Sequence, residues 1–226
     1  MFPLSCRSVL GRPIAVAILS LFLTGQALAD GQISSLPNPT LDTPLAKTSG
    51  QQTAVLAGGC FWGVQLVFQH VKGVISATSG YAGGPANEAT YSLVSTGTTG
   101  HAESVRVVYD PAQITYGQLL KVFFSVALDP TELNRQGPDV GTQYRSEIFA
   151  VNTDQKKIAE AYISQLSSAK VYPRKIVTEV MMLPAFYPAE TYHQNYAKLH
   201  PHNPYIVIND LPKITHLKAE FPAIYR

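Results

Sequence analysis

The chain has 226 residues, a formal net charge of +2, and 14% charged against 46% hydrophobic side chains. That balance supplies a sizeable core and no strongly basic or acidic surface, so there is no electrostatic case for a nucleic-acid or anionic-membrane partner. With only two cysteines, a disulfide-rich scaffold is excluded as well.

Residues 1–29 read as a cleaved secretory signal peptide. Arg7 and Arg12 precede an apolar run from Ile14 to Leu23, and Ala27-Leu28-Ala29 supplies an A-x-A cleavage site. The run is too short to cross a bilayer, so no stable membrane association is expected. Cleavage removes Cys6, leaves Cys60 as the only cysteine, and leaves 15 basic residues against 15 acidic ones. The expected location is periplasmic or secreted, where a lone thiol is a liability unless it is used. Residues 30–52, rich in Pro, Ser, Thr and Gly, read as a flexible leader, and residues 53–226 as one domain.

Within that domain, Thr53 to Ala57 predicts a strand. The glycine turn Gly58-Gly59-Cys60-Phe61-Trp62-Gly63 follows, then an apolar helix from Val64 to Val71. Gly73 to Thr78 reads as a second strand entering a glycine loop, Gly80 to Pro85, which lacks the lysine of a phosphate-binding loop. Glu103 to Tyr109 alternates, with Val105, Val107 and Tyr109 on one face and Ser104 and Arg106 on the other; Glu103 is in phase with the apolar face.

Thr115 to Gln118 reads as a capping box, and the helix it opens runs on to Ala127, ahead of Asp129-Pro130. Ser146 to Val151 predicts a strand, Thr153 caps a further helix, and Ile176 to Met182 is a last strand. Past Leu183 the chain is rich in Pro, Tyr and His and reads as an irregular wrapping. The order predicts an α+β fold, a ferredoxin-like two-layer α/β sandwich core with a C-terminal extension.

Cys60 at a helix N-terminus is the chemical focus. Unpaired N–H groups and the positive end of the helix dipole favour thiolate, so a lowered thiol pKa is expected there. Phe61 and Trp62, the chain's single tryptophan, can wall an apolar pocket beside the sulfur.

Five motifs, Gly59-Cys60-Phe61-Trp62-Gly63, Gly80-Tyr81-Ala82-Gly83-Gly84, Thr99-Gly100-His101-Ala102-Glu103, Asp139-Val140-Gly141-Thr142-Gln143-Tyr144-Arg145 and His193-Gln194-Asn195-Tyr196, occur in this order. Together they closely resemble the A-type peptide methionine sulfoxide reductases, from about Val55 to Tyr205.

The resemblance implies a peptide-methionine (S)-S-oxide reductase with no bound cofactor or metal. Cys60 would attack the sulfoxide sulfur and become a sulfenic acid, and Glu103 would be the acid that protonates the departing oxygen. Phe61 and Trp62 would receive the substrate methyl group, and Tyr91, Tyr144 and Asp139 would hold the oxygen. Substrates would be oxidised proteins or peptides, and the free amino acid as well, and the enzyme a monomer. Many family members carry further cysteines near the C-terminus. None follows Cys60 here, so the reductant would be an external thiol, a thioredoxin-like protein or a small thiol.

Two rival readings remain at the level of sequence. His101 paired with Cys60 would suit a cysteine hydrolase, and the Phe61-Trp62 box alone would suit a periplasmic methionine-binding module. His200 and His202 suggest a solvated loop, with no third ligand for a metal. His193 is assigned a structural role.

Overall fold

A computed structural model describes residues 36–226; the signal-peptide reading and the start of the leader lie outside the described residues. Strand β1 (Gln52–Gly58) runs into helix α1 (Phe61–Gln69), then β2 (Val74–Ala82), the one-turn α2 (Tyr91–Val94) and β3 (Ala102–Tyr109). After α3 (Tyr116–Val122) come the hairpin β4 (Arg135–Gln136) and β5 (Asp139–Val140), then β6 (Ser146–Ala150), α4 (Thr153–Ser168), β7 (Glu179–Met182) and β8 (Phe186–Pro188). Three helices end the chain: α5 (Tyr196–Leu199), α6 (Pro204–Asn209) and α7 (Leu211–Glu220).

The main sheet has the order β7-β6-β1-β3-β2-β8. Its inner four strands are antiparallel neighbours in the ferredoxin-like arrangement, while β7 adds parallel to β6 and β8 antiparallel to β2. Alternation along the strands divides the side chains. Ala54, Leu56, Val105, Val107 and Ile148 face the helical layer, where Val64, Phe68, Leu120, Phe123 and Tyr162 complete the main core. Val55, Ala57, Ala82, Ala102 and Phe149 form a thinner cluster on the reverse face, closed by Leu183 and Phe186. Ser104 is therefore fully buried on the side expected to be polar, and the Arg106 guanidinium lies 5.0 Å over the Phe186 ring.

Several boundaries differ from the sequence reading, each for a local reason. Strand β2 continues through Gly80-Tyr81-Ala82, because these residues pair with Ser104, Glu103 and Ala102 on one side and with Pro188, Tyr187 and Phe186 on the other. The Thr115 capping box is present, but from Phe123 to Ala127 the helix widens into a π turn. Asn152, not Thr153, caps α4, its side chain accepting from the Gln155 N–H at 2.9 Å. Strand β7 begins only at Glu179, since the Val177 N–H is diverted to the Pro130 carbonyl. The C-terminal extension is helical rather than irregular: Ala197 and Ile206 bury against Leu66 of α1.

The described part of the leader is laid against the core. The Tyr162 hydroxyl donates to the Pro37 carbonyl at 2.8 Å, and the Thr40 N–H donates to Gln165 at 2.9 Å. Asp42 accepts from the Gly117 N–H at 2.9 Å and from the Thr115 hydroxyl, adding a carboxylate to the N-terminus of α3. A composition-based reading sees Pro and Ser; the partners that order them lie about 70 or more positions away, where periodicity gives no warning.

Candidate active site

Antiparallel pairing of β1 with β3 sets Leu56 opposite Val105, which brings the end of β1 to the start of β3. Cys60, just past β1, and Glu103, the second residue of β3, therefore meet at one end of the central strands. The turn between β1 and α1 needs Gly59: its φ is +87°, and a Cβ there would lie 2.4 Å from that of Gln136 on the β4–β5 hairpin. That close approach seats the hairpin over the cysteine.

Cys60 is the N-cap of α1, half-buried and free. Its thiol pKa is raised well above the ordinary value, which corrects the expectation of a lowered one. Burial is the largest cause, followed by the Glu103, Asp210 and Asp139 carboxylates; the Trp62 N–H at the helix end pulls the other way and is outweighed. The helix terminus acts as expected, but burial and three acids outweigh it, and of these the sequence reading named Glu103 and Asp139 but not Asp210.

Glu103 is 2% exposed, and its Oε2 accepts from the Phe61 N–H at 3.0 Å. Burial lifts its pKa to about 8 against the opposing Phe61 hydrogen bond, with a further push from Asp139. The carboxyl is thus protonated near neutral pH, as its phase in the strand predicted.

Phe61 is buried, with its ring 5.9 Å from Tyr81 and 5.0 Å from His193. Trp62 stacks on Tyr196 at 3.9 Å and meets Tyr205 edge-on at 6.0 Å. Tyr91, the first residue of α2, donates its N–H to Glu190 at 2.8 Å and lies 4.4 Å from the His193 ring. Burial, then the Glu103 charge, raises the pKa of Tyr91, and the same two causes lead for Tyr144, with Cys60 a further contributor to both; both hydroxyls therefore stay neutral donors beside the acid and the sulfur. Asp139, on β5, accepts from the Tyr205 hydroxyl, and burial raises its pKa against that bond and Lys213. The structure thus brings all seven expected residues to one locality.

Other residues entered unannounced. Tyr205, Asn209 and Lys213, from α6 and α7, line a cavity of about 80 Å³ together with Cys60, Gln136 and Asp139. Glu190 ties Tyr91 to the buried Tyr81, whose hydroxyl it accepts at 2.8 Å. His193 accepts from the Trp62 indole at Nδ1 (3.2 Å) and sits among Phe61, Trp62, Tyr91 and Tyr192. Its motif was visible in the sequence; its partners were not.

His101 is buried away from the hydrolase role. Its Nδ1 accepts from the Gly84 N–H at 3.2 Å, which makes Nε2 the donor to the Pro85 carbonyl at 3.0 Å. With both nitrogens held by the backbone of one turn, His101 has no free nitrogen to serve Cys60 as a base. Among the described residues no group of three or more His, Cys, Asp or Glu side chains is arranged to hold a metal ion.

A sulfur at a helix end, a neutral carboxylic acid, neutral phenols and an aromatic wall are thus gathered at one site on an α+β scaffold. The sequence pattern of the family described as peptide methionine sulfoxide reductase matches residues 52–223. Peptide methionine sulfoxide reductase MsrA 2 of Mesorhizobium japonicum is 62% identical over 176 residues, covering 78% of this chain and 90% of that protein. The MsrA 2 protein of Synechocystis is 49% identical over 188 residues, 82% of this chain and 88% of its own.

Solved structures agree. Mxr1 of Saccharomyces cerevisiae in reduced form superposes with a TM-score of 0.62 at 32% identity, covering 71% of this chain and 94% of Mxr1. Methionine sulfoxide reductase A of Corynebacterium diphtheriae does so with a TM-score of 0.59 at 35% identity, covering 75% and 88%. The chain belongs to the peptide methionine sulfoxide reductase family, A type, and its activity is that of a peptide-methionine (S)-S-oxide reductase.

Proposed function

We propose that the reduction runs through a sulfenic acid on Cys60 and is completed by an external thiol. The observation that carries this reading is the pairing of the only cysteine among the described residues with a buried glutamic acid whose pKa is about 8. A sulfoxide oxygen leaves poorly unless protonated, and Glu103 holds the proton to give. Protonation makes the substrate sulfur electrophilic, which draws the Cys60 thiol to ionise and attack even though its resting pKa is high. Phe61 and Trp62 take the methyl group, while Tyr91, Tyr144 and Asp139 hold the oxygen.

The first half-reaction balances as R₂S=O + Cys60–SH → R₂S + Cys60–SOH. One external thiol then condenses with the sulfenic acid, releasing water and leaving a mixed disulfide; a second thiol displaces Cys60 and completes the external disulfide. A thioredoxin-like protein or a small thiol suits this step, and the enzyme works on oxidised proteins or peptides, and on the free amino acid, as a monomer. Arg7, Arg12, the Ile14–Leu23 run and the Ala27–Ala29 site support export, so the repair would serve periplasmic or secreted proteins.

Mixing the protein with excess methionine sulfoxide and no reductant tests the scheme. About one equivalent of methionine should be released, and a dione probe specific for sulfenic acid should label Cys60. Two equivalents, or release without label on Cys60, would overturn it.

A further inference from the structure

Reduction at Cys60 as set out above uses two of the three carboxylates that surround the sulfur. Glu103 is the acid, and Asp139 belongs with Tyr205 to the oxygen network. Asp210, between α6 and α7, has no part in it, although it is only 1% exposed and neither oxygen has a hydrogen-bond partner. Its counter-charge is Lys213, with Nζ 3.5 Å from Oδ1, too long for a strong bond. A carboxylate buried on such terms is costly, so its place in the fold calls for a reason.

Its seat supplies one. The carboxylate rests on Gly63 in the first turn of α1, where a Cβ would come within 2.1 Å of Oδ1 and 2.8 Å of Lys213 Nζ. Only glycine lets the charge pair press against the helix end that Cys60 caps. Lys213 also lines the cavity into which Cys60 opens. The negative member therefore faces the positive end of the helix, and the positive member borders the sulfur's own cavity.

We propose that Asp210 and Lys213 are positioning residues for charge: Asp210 cancels part of the helix-end field on the Cys60 sulfur, Lys213 limits that cancellation, and together they hold the thiol back until a sulfoxide arrives. The proposal rests on the reading of Cys60 as the nucleophile. The other groups facing the sulfur are Glu103 from β3, Asp139 from β5 and the hydroxyls of Tyr91, Tyr144 and Tyr205. Glu103 and the phenols are neutral near pH 7, and Asp139 accepts from Tyr205. Asp210 is the next contributor after Glu103 to the raised thiol pKa; burial raises its own pKa and Lys213 opposes that rise.

The test is alkylation of the full chain with iodoacetamide across pH, followed at the Cys60 peptide by mass spectrometry, in Asp210→Asn and Lys213→Met. Asp210→Asn should move the alkylation midpoint to lower pH and speed the reaction at neutral pH. The rate should rise roughly threefold for each pH unit by which the midpoint falls, because tenfold more thiolate is offset by a weaker nucleophile. Lys213→Met should do the reverse. Midpoints that move in the same direction in both variants, or in neither, would overturn the proposal. Lys213 is partly exposed and methionine keeps its apolar stem, so if Asp210→Asn fails to fold, unchanged or faster alkylation in Lys213→Met alone suffices to overturn it. Because alkylation reads the sulfur and not turnover, failure of the reductase reading would leave this result interpretable.

Discussion

The backbone N–H of Phe61 donates to Oε2 of Glu103 at 3.0 Å, so the residue after the nucleophile is bonded to the acid. This contact ties the first residue of helix α1 to strand β3, alongside the core packing of Val64 and Phe68 with Val105 and Val107. It also lowers the Glu103 pKa against the larger effect of burial. The acid is thereby held near neutrality rather than far above it, where it would be too weak to donate.

Replacing Glu103 with Gln keeps an acceptor for the Phe61 N–H and removes the proton donor. Sulfoxide reduction should fall by about 10²-fold or more, the usual worth of a positioned acid. Alkylation of Cys60 should persist, since one of the carboxylates that raises its pKa is gone. Near-wild-type turnover in single-turnover assays would mean the acid lies elsewhere, with Asp139 the next place to look.

The pH dependence has a definite sign. Glu103 is protonated in the folded protein up to about pH 8 and in the unfolded chain only up to the ordinary glutamate value of 4.5. Between those values the folded state binds more protons, so its stability should decline as pH rises through this window. Over the same range the acid remains available, and the first half-reaction should slow above about pH 8. Denaturation midpoints and stopped-flow methionine release read the two effects. A stability that rises from pH 5 to 8 in wild type but not in Glu103→Gln would contradict the assignment.

Asp42→Ala removes the acceptor for the Gly117 N–H and the Thr115 hydroxyl at the start of α3. The loss should be about 1–2 kcal/mol in urea unfolding, comparable to losing a helix cap. Turnover of the folded protein should be unaffected. An unchanged midpoint would show that the Asp42 contacts add nothing to the stability of the domain.

If the Ala27-Leu28-Ala29 site is used, the exported protein begins at Asp30. Intact-mass measurement of material recovered outside the cytoplasm checks this. Retention of Met1 to Ala29 would rule out cleavage at that site.

Features that are local or periodic could be read from the chain alone. Glu103 announced its burial through its phase with Val105 and Val107, because side chains two apart on a strand share a face. The Thr115–Gln118 box stated where α3 begins, since both partners lie within one turn. The glycine turn and the short strand before it placed Cys60 at a helix end. Whatever depends on charges and rings gathered from distant positions was settled only by folding. The thiol pKa goes up rather than down because folding buries the sulfur and brings Glu103, Asp210 and Asp139 to it from distant positions, and Coulomb interactions follow distance in space, not along the chain. The leader from Leu36 onward is ordered by partners such as Asp42 with Gly117, and the C-terminal segment is helical because Ile206 finds Leu66. No window of neighbouring residues contains those pairs.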